Sequence, residues 1–211
     1  MSEPDISRLQ HLFVELKEMQ LIDTCRKLEP SLHPLAQLQG NKLFKKILYS
    51  EKFYNGFLSE LDDDTLKFVL LHEEGHIQKG SLLPYCAFFL ATVVFTILFY
   101  YPYNFGWPYW ILYLLIVIPL VYRSVYPLLY KEELKADIFA AEKMREGFHI
   151  ERPSELLKRL FQKADEKTNK EDKMKKSTFL ILAIMIVLGI FPDYHPADCT
   201  RIANVNRALE E

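Results

Sequence analysis

From Ile6 onward, Leu9, Leu12, Phe13, Leu16, Met19 and Ile22 recur at three- and four-residue steps. This spacing lays one apolar stripe along an amphipathic helix, which Pro30 and Pro34 close off. Between Phe44 and Tyr54 the odd positions Ile47, Tyr49 and Phe53 predict a short strand, set among Lys45, Lys46 and Lys52. Ser59-Glu60-Leu61-Asp62-Asp63-Asp64 then offers caps and an acidic first turn, so a helix begins near Asp62 and runs through Leu66, Val69, Leu70 and Ile77. Gly80 and Pro84 mark its end or a bend.

The 43 residues between Lys79 and Arg123 contain no Asp, Glu, Lys or Arg. Two apolar runs, 83–103 and 107–122, flank Asn104-Phe105-Gly106. Since one span needs ~20 residues, the pattern predicts a transmembrane helical hairpin. Tyr100, Tyr101, Tyr103, Trp107, Tyr109 and Trp110 cluster at its turn, where amphipathic rings favour the headgroup level. Lys79, Arg123, Lys131 and Lys135 flank its open end, which places that end, and whatever is attached to it, on the cytoplasmic side. Pro119 and Pro127 are expected to kink the second helix. Pro153-Ser154-Glu155 starts another amphipathic helix, and 163–176 is a charged run that reads as a solvated face. A last apolar run, 179–191, is short for a span and reads as a buried or interfacial segment.

Composition sharpens this division. Half of the 211 residues are hydrophobic, yet the 26 basic and 28 acidic side chains all lie outside the charge-free stretch. The chain therefore reads as part membrane-embedded and part water-facing. A formal net charge of -2 lacks the basic excess of a nucleic-acid binder, so nucleic acid is not an expected partner. The seven glycines form no nucleotide-phosphate loop. Cys25, Cys86 and Cys199 are odd in number and far apart, which predicts neither a disulfide framework nor a cysteine metal site. Residues 1–40 hold no apolar leader run, so membrane targeting is expected to come from the internal segment.

The chemistry is concentrated in His72-Glu73-Glu74-Gly75-His76, an H-E-x-x-H sequence on the helix from Asp62. Positions i and i+4 are ~40° apart around a helix, so both imidazoles point to one side and can bind one zinc ion. Glu73 beside them is suited to take a proton from water and return it to a leaving amine. Lys79 and Leu82 stand where a metzincin has glycine and histidine, which excludes that class. A third ligand can come from Lys131-Glu132-Glu133-Leu134-Lys135-Ala136-Asp137, which the hairpin returns to the same side of the bilayer.

Phe68-Val69-Leu70-Leu71-His72-Glu73-Glu74-Gly75-His76-Ile77, Glu133-x-x-Ala136-Asp137 and His195-Pro196 with Arg201-Ile202, in this order, resemble the HtpX and CAAX-prenyl-protease family of membrane gluzincins. The resemblance implies that His72, His76 and Glu133 hold one Zn2+ per chain, with Glu73 as general base. It makes Asp137 an outer acceptor that orients a ligand imidazole, places His195 near the reacting carbonyl and gives Arg201 nearby carboxylates to fix. From the residues themselves, a helix cap for His195 and a surface ion pair for Arg201 are equally open readings. Members of that family commonly carry two further amino-terminal membrane helices and an Asn-Ala-Phe-type edge strand, whereas residues 1–46 read as polar and largely helical.

The expected fold class is thus mainly α: a small cytoplasmic catalytic domain with a transmembrane hairpin inserted between its zinc-ligand helices. Residues 1–46 form an amino-terminal helical region, 47–82 carry the zinc helix, 83–130 form the hairpin and 131–211 complete the catalytic domain, with an apolar segment at 178–191. The expected protein is an integral membrane zinc endopeptidase, implied to sit in a prokaryotic cytoplasmic membrane. Its partners are a peptide or protein substrate and the lipid bilayer. A site-two-type intramembrane protease is opposed by Asp62, Asp63, Asp64 and Lys67 on the zinc helix. A metal-stabilised adaptor is opposed by Glu73, since a structural site needs no base.

Overall fold

The computed structural model describes residues 6–31, 38–83, 86, 89–90, 93–94, 107–171 and 196–210, the side chains of 107–125 and 168–171 excepted. The chain divides into two compact units. The first combines Met1–Gly80, Glu132–Lys173 and Ala197–Glu211; the second combines Ser81–Lys131 and Met174–Pro196.

In the first unit the predicted stripe forms helix α1 (Ser7–Glu18), which buries Leu9, Leu12, Phe13 and Leu16. Each such side chain stabilises the fold by roughly 1.5–3 kcal/mol on burial. Gln20 adopts a left-handed φ of 58°, and the chain reverses so that the N–H groups of Leu21 and Ile22 both donate to the Leu16 carbonyl.

The helical reading of 1–46 needs correction beyond this point. Strands β1 (Lys27–Pro30) and β2 (Gln39–Asn41) flank β3 (Lys46–Tyr49) in a sheet of order β1-β3-β2, parallel on one side and antiparallel on the other. Pro30 is tolerated because β1 is an edge strand, whose outer N–H groups have no ladder to serve. The strand expected over Phe44 to Tyr54 is shorter than its pattern. Ile47 and Tyr49 are buried from β3, but Ser50 caps helix α2 (Glu51–Gly56) by accepting from the Phe53 N–H, so Phe53 lies on a helix.

Helix α3 (Asp63–Gln78) begins where the acidic cluster predicts. The Asp62 carboxylate caps it, accepting from the Thr65 N–H and the Thr65 hydroxyl, both at 2.9 Å. Phe68, Val69, Leu70 and Leu71 are consecutive and all buried, so α3 is enclosed on several sides, with α1, β2 and β3 against it. Helix α4 (Trp107–Phe148) runs as one helix through Pro119 and Pro127, and its residues from Glu132 belong to the first unit. Helix α5 (Ser154–Glu171) starts as predicted and buries Leu156 and Leu157 beside α3. Helix α6 (Asp198–Glu210) packs on α5 and buries Arg201 and Val205, one turn apart.

In the second unit Leu82, Leu83, Phe89, Leu90, Val93 and Val94 are exposed. Among the described residues, no helix is long and apolar enough to cross a membrane. Residues 84–85, 87–88, 91–92 and 95–106 of the hairpin expected over 83–130, the apolar segment 178–191 and His195 lie outside the described residues.

Candidate metal centre

One turn of α3 separates His72 from His76, and their Nε2 atoms stand 3.1 Å apart with the rings edge to face. Glu133 on α4 brings Oε2 to 3.6 Å from His72 Nε2 and Oε1 to 3.4 Å from His76 Nε2. Ligands ~2.0–2.1 Å from a tetrahedral ion lie roughly 3.3 Å from one another, so these three donors fit one metal ion and leave a fourth position for water or substrate. Two imidazoles and a carboxylate are also the donor types that suit such an ion. Glu132, next in sequence, bonds Lys135 instead, at 3.2 Å.

Glu133 reaches the histidines because α3 and α4 touch at their backbones. A Cβ on Gly75 would lie 2.9 Å from the Cα of Ala136. Any larger residue at position 75 would hold the helices apart.

Asp137, one turn beyond Glu133, is fully buried. Its Oδ1 lies 2.9 Å from His72 Nδ1, short in distance but off the line of an ideal hydrogen bond. Arg201 donates to both of its oxygens, Nε to Oδ2 and Nη2 to Oδ1, each at 2.6 Å. The guanidinium also approaches Glu133 at 3.8 Å and rests over the Phe161 ring. Arg201 is therefore buried and bidentate, not part of a surface pair. Burial pushes the Asp137 carboxyl up, but the hydrogen bonds from Arg201 and the close His72 imidazole outweigh it and hold the group below the usual carboxylate range.

The same surroundings divide the two imidazoles. Burial disfavours charge on both. With no metal bound, the close carboxylates of Asp137 and Glu133 reverse this for His72, whose pKa is pushed up to about 10, whereas the charge of His72 adds to burial at His76 and takes it down to about 4. Burial raises Glu73 to about 7, against the attraction of His72 and a hydrogen bond from the Gly40 N–H. That bond, 2.6 Å to Glu73 Oε2, ties β2 to the metal helix.

His72, Glu73, His76, Glu133, Asp137 and Arg201 thus converge in the first unit, while His195 lies outside the described residues. Reading the sequence alone misses Gly40, Arg26 and Glu74. Arg26, just ahead of β1, and Glu74 on α3 form a buried pair. Glu74 fills a variable position of H-E-x-x-H, and no local spacing connects it to residue 26 or Glu73 to residue 40.

The family model described as peptidase family M48 matches residues 48–209, which include all seven residues named from the motifs and exclude α1, β1 and β2. No curated protein and no solved structure matches the chain.

Proposed function

Because the chain belongs to peptidase family M48, we propose that it is a zinc-dependent endopeptidase anchored in a membrane by the charge-free segment after Lys79. It hydrolyses peptide bonds of membrane or cytoplasmic proteins, with its site on the cytoplasmic side. The observation that carries this reading is the triangle of His72, His76 and Glu133 donor atoms, all within 4.8 Å of one another, beside a carboxylate that is not part of it.

Zinc, when bound by these three residues, supplies a Lewis acid that polarises the scissile carbonyl and acidifies water. Glu73 takes the proton from the attacking water and delivers it to the leaving amine. Asp137 sets the ring of His72 through Nδ1, and Arg201 holds Asp137 in place from both oxygens. His195 is assigned to the developing oxyanion.

The test is metal content measured beside cleavage of an unfolded model protein in detergent. Glu73→Gln is expected to keep the metal and lose activity by ~10² or more. His72→Ala, His76→Ala and Glu133→Ala are expected to lose both, and Glu132→Ala neither. Near wild-type cleavage by Glu73→Gln would leave the reading without its base and overturn it.

A further inference from the structure

The residues that precede the family match reach the metal helix at two adjacent positions. Gly40 on β2 donates its N–H to Glu73, and it lies so close that a Cβ there would collide with the Glu73 carbonyl oxygen. Arg26, which leads into β1, meets the next residue, Glu74, through a two-pronged bond: Nε to Oε2 and Nη2 to Oε1, each at 2.6 Å. Both side chains are buried, Glu74 completely. Gln78 donates a further bond to Glu74, at 2.8 Å.

The third arm of Arg26 fixes what this pair does. Nη1 donates to the carbonyl of Lys45, at 3.1 Å, in the turn that connects β2 to β3. One guanidinium therefore joins the metal helix, the start of β1 and the turn at the end of β2. A buried ion pair adds little net stability over apolar residues of the same shape, because desolvation offsets the attraction. What a bidentate guanidinium adds is geometry, since its planar fork accepts one relative placement of its partners.

We infer that Arg26 is a positioning residue for Glu73: by clamping Glu74 to the β2–β3 turn it holds β2 where the Gly40 N–H fixes one oxygen of the Glu73 carboxylate, leaving the other for the reacting water. This rests on Glu73 being the general base and extends the machinery to residues 26–45, ahead of the family match.

The test uses the full chain in detergent with two variants. Arg26→Lys keeps the charge and removes the fork. Arg26→Met/Glu74→Leu removes both partners, so neither is left buried alone. For each variant that retains wild-type metal content and a cooperative melt, kcat is expected to fall about tenfold or more with KM within about twofold. Amide hydrogen exchange over 38–41 is expected to quicken. A folded, metal-loaded variant with wild-type kcat and unchanged exchange overturns the proposal. Loss of the fold in both variants also overturns it, by making the pair a stability element alone. The exchange readout needs no catalysis. If Glu73→Gln cleaves at the wild-type rate, the protease reading falls while unchanged or quickened exchange still decides whether Arg26 places β2.

Discussion

A methyl group added at Gly75 has nowhere to go, because what it meets is the backbone of α4 rather than the end of a flexible side chain. Gly75→Ala is therefore expected to destabilise the first unit by about 1–3 kcal/mol and to weaken metal binding by moving Glu133 away from the histidines, read by thermal melting and metal titration. Arg201 makes the complementary case. Arg201→Lys keeps a charge near Asp137 but gives up the fork, and metal affinity is expected to fall about tenfold. Arg201→Met leaves Asp137 buried and unpaired, at a cost of about 3–5 kcal/mol, so it should unfold well before the lysine variant. At this scale the sequence is readable where a short spacing carries the chemistry, as with His72 and His76 one turn apart on one helix, whereas Glu133 and Asp137 are legible only through the family resemblance. Arg26, Gly40 and Glu74 are silent because their partners lie 48 and 33 residues away.

Among the elements, α3 is the most legible and also the one whose end can be tested. Its cap rests on Asp62, where burial raises the pKa but hydrogen bonds from Thr65 and the nearby Arg159 outweigh it and lower the group below its usual value. A carboxyl depressed in the folded state contributes stability that is present above its unfolded pKa, near ~4, and is lost as pH falls through the lower folded value. Asp62→Ala should thus cost about 1 kcal/mol at neutral pH, and the gap between variant and wild-type melting temperatures should close in strong acid. A gap that persists unchanged at low pH would detach the effect from the carboxylate. Helices α1, α3 and α5 show in the sequence because each carries several turns of periodic burial or a cap. β1 and β2 do not: at three or four residues a period of two has no room to repeat, and β2 buries a glycine rather than an apolar side chain.

For the whole molecule, the charge-free stretch and its basic flank set the expected topology. With Cys25, Cys86 and Cys199 replaced by serine, a cysteine at Asn104 should react with an impermeant thiol reagent on intact cells, and one at Ser59 only after lysis. Labelling at Ser59 in intact cells would reverse the proposed orientation. The larger division into two units is partly legible: the charge-free segment after Gly80 already separates two stretches of the first unit, but the short apolar run 179–191 does not announce that Met174–Pro196 leaves that unit as well. That interleaving has a temporal consequence. Asp137 and Arg201 are 64 residues apart, and the second unit's stretch Met174–Pro196 is synthesised between them. Contacts of such separation close late, after the loop entropy they confine has been overcome. A chain emerging from the ribosome holds His72 and His76 long before it holds the arginine that locks Asp137 behind them. The nascent protein therefore carries an unfinished centre until residue 201 has docked.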